Sequence, residues 1–365
     1  MITGHGGNIY EIAARLGCAL SDIIDMSSNV NPLGPPQGLV AHLKEHMQVI
    51  EALPQADAKA INEAFALRYG ISPEKTLAGN GTTQFIYAIP KVLGSRNTLI
   101  LGPAYSDYAD ACHMHGVPFA YVMARDSNGF HHDMIQVTKK LHQFDTVFVC
   151  NPNNPSGVLI SAEIIKNLCR RFPHIYFVID ESYLPFVTGG ESESMIREDM
   201  KNLLVLNSMS KIFRIPGLRI GFVVAEPTII RKFYHYYLPW SVNSLAQATV
   251  AFLMHHQEQT DLFVRQSQQY LEEQRKNFIK KLGGSDKIRI FESTTSFILA
   301  KLTGLMNSGE VCDVMARRRF LIRNCQNFTG LSNEYIRLSL KTSDINQAAA
   351  EELLKIVSME TRDQS

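Results

Sequence analysis

Short runs of β-branched and other apolar residues, each closed by turn formers, punctuate the middle of the chain: NTLILG (97–102), TVFVCNP (146–152), YFVIDE (176–181), LLVLNS (203–208) and RIGFVVA (219–225). Their apolarity is continuous rather than alternating, and segments of helical period separate several of them. That combination predicts strands covered on both faces of a mainly parallel sheet. From about Ala246 the pattern becomes one long helix rich in Gln, Glu, Arg and Lys, ending near Gly283 and Gly284. Beyond it KIRIFES, SFILAKL, FLIRNC and YIRLSL, with helical stretches around 308–319 and 343–358, predict a second α+β unit. Near the start, Ile9, Ile12, Ala13 and Leu16 share one helical face, and Asn8 with Glu11 has the form of a capping box. GHGGN (4–8), directly before that face, suits neither helix nor strand.

A chain of 365 residues with 45% hydrophobic content can bury one large core and a smaller one. Thirty-six basic residues balance 35 acidic ones for a formal charge of +1, which argues against a nucleic-acid surface or a polybasic membrane anchor. Small molecules are the expected partners. Six cysteines at 18, 112, 150, 169, 312 and 325 form no CxxC pair and follow no secretory signal, so a reducing compartment, the cytoplasm, is expected, and no metal centre. The longest uncharged stretch, Leu238 to Met254, carries Pro239, Asn243, Ser244 and Gln247 and makes a poor membrane span.

Candidate chemistry concentrates in NSMSKIFRIPGLRIG (207–221). Lys211 can condense with an aldehyde, while Ser208, Ser210 and Arg219 suit a phosphate. Both groups on one molecule suggest pyridoxal phosphate. Upstream, YFVIDESY places Asp180 at the end of a buried strand, where a carboxylate can keep a pyridinium nitrogen protonated. Tyr183 is three residues on. CNPNNPSG (150–157) makes a rigid loop at a strand's carboxyl end, with Asn154 placed to donate to a phenolate. AGNGTTQ (78–84) is a glycine turn entering a helix, so the amides of Gly81 and Thr82 can cradle a phosphate.

In this order and spacing, across nearly the whole chain, these motifs resemble the fold-type I pyridoxal-phosphate enzymes, the aspartate aminotransferase superfamily. The resemblance implies an α/β fold with a large cofactor-binding domain over 41–255, a small domain over 256–365, and an arm over 1–40 that joins the small domain. It implies Lys211 as the lysine that carries the cofactor, Asp180 as the pyridinium partner, and Asn154 and Tyr183 as phenolate partners. Ser208, Ser210, Arg219, Gly81 and Thr82 would form the phosphate cup, with Tyr105 of PAYSDY stacked on the ring. Each site would lie at the interface of a homodimer.

The cofactor can labilise any of three bonds at an amino acid's α-carbon, and the bond held perpendicular to the ring is the one that breaks. Substrate anchoring therefore decides the reaction. HGGNIYEIAARLG (5–17), SSNVNPLG (27–34), PWSVNSLA (239–246) and IRNCQNFTGLSNEYIRLS (322–339) resemble the threonine-phosphate decarboxylases of cobalamin biosynthesis, close relatives of the histidinol-phosphate aminotransferases. By that resemblance His5, Gly6 and Asn29 reach a substrate phosphate, and Arg323 and Arg337 serve the substrate's two anions, in an order left open. Phosphothreonine, phosphoserine and a phosphonate all suit such anchors. The chain departs from the pattern at EALPQAD, where Leu53 stands in place of a tyrosine that reaches the neighbouring subunit's cofactor phosphate.

Overall fold

In the computed structural model, which describes residues 6–359, all five apolar runs are strands of one seven-stranded sheet. Its spatial order is Thr76–Asn80, Ile220–Ala225, Leu203–Ser208, Tyr176–Asp180, Thr146–Cys150, Thr98–Gly102 and Phe119–Met123. Pairing is parallel from Leu203–Ser208 across to Phe119–Met123, and Ile220–Ala225 runs antiparallel to both of its neighbours. Thr76–Asn80, whose last three residues begin the expected glycine turn over 78–84, is a strand that leads into the helix Gly81–Leu93. It is a strand because Thr76 to Asn80 pair with Val224 to Ile220, a partner some 140 residues away.

Why the runs are apolar throughout follows from the two-residue period of a strand. Leu99, Leu101, Val147, Val149, Phe177, Ile179 and Val205 pack into one core. The residues between them, Ile100, Phe148, Val178, Leu204 and Leu206, pack into the core on the other face. Helices Gly81–Leu93 and Asp107–Met114 contribute Phe85, Ile86, Ile89 and Tyr108 to that second core. The same alternation continues to the strand ends. Asp180 therefore shares a face with Val178, and Ser208 with Leu206, while Glu181 and Asn207 take the opposite side.

The segment after Ala246 departs from the expected single helix. It is two, Ser244–His255 and Gln257–Leu282, separated at His256, whose φ of −101° and ψ of 52° leave the helical region. Beyond them Arg323–Asn324, Tyr335–Ser339, Phe297–Leu302 and Ile288–Ile290 form an antiparallel four-stranded sheet in that order. FLIRNC is divided: Phe320–Leu321 pairs in parallel with Ile24–Asp25, and Arg323–Asn324 joins the four-stranded sheet. This pairing brings the amino-terminal residues beside the carboxyl-terminal sheet. The helix Ile9–Leu16 forms as its period predicts, with Asn8 Oδ1 accepting from Glu11 N at 3.2 Å. Only half of the capping box exists, because Glu11 Oε2 accepts from the Asn8 side-chain amide, at 2.6 Å.

One glycine of the sheet holds the turn at residues 81 and 82 in place. A Cβ on Gly221 would lie 2.7 Å from Thr82 N and 3.1 Å from Asn207 O, both backbone atoms that cannot swing aside. Gly221→Ala is expected to cost about 1–3 kcal/mol and to lower Tm by a few degrees, with weaker phosphate binding at the displaced turn. Thermal unfolding checks this, and an unchanged Tm would show that the turn yields.

Candidate active site

The carboxyl ends of the parallel strands open onto a cavity of about 170 Å³. Strand alternation delivers Cys150, Asp180 and Ser208 to it, and the short helix Met209–Ile212 delivers Ser210 and Lys211. The loop after Thr146–Cys150 adds Asn154. Its neighbours are fastened elsewhere: Asn151 exchanges hydrogen bonds with the backbone of Ile160 at 2.7 and 2.8 Å, and Asn153 donates to Pro103 O at 2.9 Å. Asn154 is left facing the cavity, where Tyr183 and Tyr105 join it.

Asp180 is 4% exposed, and burial pushes its carboxyl up against the opposing influence of Ser182, Tyr108 and the Lys211 charge. Its Oδ1 accepts from Ser182 N at 3.0 Å and Ser182 Oγ at 2.5 Å, and its Oδ2 from Tyr108 Oη at 2.8 Å. Burial likewise holds the Lys211 amine down at about 8, helped by the cations Arg219 and Arg337 and opposed by Asp180 and Asp25. Tyr183 is pushed up to about 12, again by burial, although Arg337 and a hydrogen bond from Asn29 work the other way. Asn29 Nδ2 donates to Tyr183 Oη at 3.3 Å, and Asn29 Oδ1 is buried without a hydrogen-bond donor among the described residues.

The phosphate-binding residues expected from the sequence converge. Gly81 and Thr82 open the helix Gly81–Leu93 at the cavity wall, beside Ser208, Ser210 and Arg219. A helix amino terminus with a guanidinium and hydroxyls suits a phosphate dianion. Gly81 has φ +71°, and a Cβ on it would lie 2.8 Å from Arg219 Nη2. The cavity's donor set therefore fits pyridoxal phosphate: an amine for the aldehyde, a buried carboxylate for the ring nitrogen, a carboxamide and a phenol for the ring oxygen, and a cup for the phosphate.

A second cavity, of about 150 Å³, adjoins the first and shares Tyr105, Asn154, Tyr183 and Lys211 with it. Gly6, Ser27, Asn29, Arg323 and Arg337 also line it. The two arginines stand opposite each other on paired antiparallel strands. Arg337 is 5% exposed, donates to Asn154 Oδ1 and, at 2.7 Å, to Ser27 O, and lies 5.2 Å over the Phe297 ring. Arg323 donates to Asn327 Oδ1 at 2.7 Å. Among the described residues, these hydrogen-bond acceptors are all neutral oxygens. Burial and the Arg337 charge both lower the proton affinity of Arg323. His5 lies outside the described residues. Leu53 is 76% exposed, away from both cavities.

Sequence reasoning overlooks Tyr108 and Ser182, which hold Asp180. The signals exist: Tyr108 follows Tyr105 by three residues, and Ser182 follows Asp180 by two, the spacing at which a hydroxyl and an amide can turn back onto a carboxylate.

The depressed Lys211 amine has a direct consequence. Only the neutral amine attacks an aldehyde, and its population grows as pH rises through about 8 instead of the ordinary 10.5. Uptake of pyridoxal phosphate by the cofactor-free protein, followed by absorbance, is expected to accelerate through about pH 8 and then level. A rate still climbing steeply at pH 10 would contradict this.

Comparison with known proteins agrees with the geometry. The family Aminotransferase class I and II matches residues 21–355. The adenosylcobalamin biosynthesis bifunctional protein CobDQ of Leptospira interrogans is 30% identical over 348 residues; the match covers 94% of this chain, which spans only 40% of that protein. The threonine-phosphate decarboxylase of Salmonella typhimurium is 27% identical over 351 residues, 94% of each chain. A histidinol-phosphate aminotransferase from Methanothermobacter thermautotrophicus is 26% identical over 358 residues, 96% of this chain and 94% of that one. Among solved structures, the L-threonine-O-3-phosphate decarboxylase from Porphyromonas gingivalis superposes with a TM-score of 0.81 at 29% identity, covering 91% of this chain and 99% of its own. A match over so much of the sequence, on a fold that carries a lysine and a carboxylate in one cavity, shows that the chain belongs to the class I and II aminotransferase family, whose members in general use pyridoxal phosphate.

Proposed function

We propose that the protein is a pyridoxal-phosphate-dependent decarboxylase of an ω-phosphorylated L-amino acid, O-phospho-L-threonine above others, yielding (R)-1-amino-2-propanol phosphate for cobalamin biosynthesis. The observation that carries this reading is the pair of guanidiniums, Arg323 and Arg337, facing one cavity, with neutral oxygens as their hydrogen-bond acceptors among the described residues. Two fixed cations exceed what a single carboxylate needs and suit a substrate with two anionic ends. The decarboxylase names of the Salmonella and Porphyromonas relatives support the same choice.

Pyridoxal phosphate, when bound, supplies the electron sink that makes cleavage at an α-carbon feasible. Asp180 would hold its ring nitrogen, Asn154 and Tyr183 its ring oxygen, and Gly81, Thr82, Ser208, Ser210 and Arg219 its phosphate. The choice of bond belongs to the second cavity. Gly6 and Asn29, with one of the arginines, would fix the distal phosphate, and that hold would set which bond at the α-carbon is presented for cleavage. Departure of carbon dioxide leaves an electron pair on the α-carbon, and the Lys211 ammonium places a proton there. An amine near 8 can carry that proton at neutral pH and release it again.

Two further features belong to the proposal. Exposed Met47, Ile50 and Leu53, with Leu238 and Trp240 on the neighbouring segment, support a homodimer, and Trp240 N donating to Ala56 O at 3.0 Å brings the two segments together. Among the described residues no helix is long and apolar enough to cross a membrane. Cytoplasmic location is part of this reading.

The rival is transamination, which the histidinol-phosphate aminotransferase relatives favour. Incubating the cofactor-loaded protein with O-phosphothreonine, O-phosphoserine or histidinol phosphate, with 2-oxoglutarate present, separates the two. Carbon dioxide and a phosphorylated amine from phosphothreonine, without keto product, are expected, and Arg337→Ala should lower kcat/KM at least about a hundredfold. Glutamate formation without carbon dioxide would defeat the proposal.

A further inference from the structure

We propose that Ser27, held by Asp25, is the joint that fixes the amino-terminal segment relative to Arg337, and that both are positioning residues for the substrate's distal phosphate. This rests on the reading above that the segment around Gly6 contributes to phosphate binding.

Ser27 is 2% exposed and uses every polar atom it has. Its N donates to Asp25 Oδ1 at 2.8 Å, and its Oγ donates to the same oxygen at 2.7 Å. Its carbonyl accepts from Arg337 Nη2 at 2.7 Å. Its Oγ also accepts from Gly7 N at 2.7 Å. An ionised carboxylate only accepts, and a backbone N–H only donates. Asp25 therefore dictates where the Ser27 hydroxyl proton points and leaves the lone pairs facing Gly7. Ser28 repeats the device: its Oγ donates to Asp25 Oδ2 at 2.5 Å, and its carbonyl accepts from Lys341 Nζ at 3.1 Å.

The glycines of the opening segment now have a reason. A Cβ on Gly6 would lie 2.7 Å from Ser27 O, the oxygen that seats Arg337. Gly7 has φ +87°, and its Cβ would meet Ser28 Oγ at 2.7 Å. Only a chain without side chains there can lie against the loop closely enough for Gly7 N to reach Ser27. One residue thus sets the spacing between the segment and the guanidinium, and Asp25 locks that residue's polarity. Ile24–Asp25, paired with Phe320–Leu321, anchors the whole joint.

The test compares cofactor-loaded wild type, Ser27→Ala and Asp25→Ala. Calorimetry measures their affinity for phosphoethanolamine and for ethanolamine, neither of which has a carboxylate to lose, and hydrogen exchange is followed at the Gly7 amide. Both variants are expected to bind phosphoethanolamine about tenfold more weakly and ethanolamine within about twofold of wild type, with faster exchange at Gly7. A variant that frees the Gly7 amide yet keeps the wild-type ratio of affinities overturns the proposal. Equal weakening toward both ligands, or a wild type with no preference for the phosphorylated one, overturns it too. Keto product from phosphothreonine would instead sink decarboxylation and leave this result intact, because both affinities are read without turnover.

Discussion

A guanidinium removed from water is costly unless its donors are matched, and the site is arranged around one whose hydrogen-bond acceptors among the described residues are neutral oxygens. Arg337 comes from an inner strand of the carboxyl-terminal sheet, reaches Asn154 on a loop of the large sheet, and reaches Ser27 near the amino terminus. Three distant parts of the chain meet on one side chain. Its Nε is buried with no hydrogen-bond partner among the described atoms, so the arrangement still has capacity for an anion. The same cation depresses the Lys211 amine and the proton affinity of Arg323. Binding an anion there would relieve repulsion that the free protein carries.

Asn154 connects this group to the cofactor cavity. Because its Oδ1 accepts from Arg337, its amide NH₂ is the end left to donate toward a ring oxygen. On the proposed reading, substrate anchor and ring contact are thereby joined through one carboxamide. An aminotransferase has as much use for that link as a decarboxylase does. On the proposed reading, the groups beyond it, Gly6, Asn29 and Arg323, select between the two reactions.

Much of the large sheet was legible because its strands are buried on both faces, and continuous apolarity is what that burial demands. Phe119–Met123 escaped notice as a half-buried edge, and Thr76–Asn80 because TLAGN carries turn residues and is made a strand by a distant partner. The break at His256 has no Gly or Pro to announce it. That Lys211, Asp180, Ser208, Ser210, Arg219, Gly81 and Thr82 would meet in one cavity was readable since each sits beside a recognisable strand or turn. Tyr108 and Ser182 were not, as their importance lies in what they touch. The division of FLIRNC between two sheets turns on Ile322, which is buried between a residue paired to the amino terminus and one paired to the carboxyl-terminal sheet.

Strand alternation turns two adjacent carboxylates to opposite sides of the sheet. Asp180 points into the cofactor cavity, while Glu181, pushed up to about 7 by burial, accepts from Met195 N at 2.6 Å and Ser194 Oγ at 2.7 Å on the far side. Deleting one residue within Tyr176–Asp180 would move Glu181 into the place of Asp180, presenting a side chain one methylene longer to the cavity and leaving the 194–195 bend without its clasp. The residue count of that strand thus decides which side chain faces the cavity, as much as the identity of the acid at its tip does.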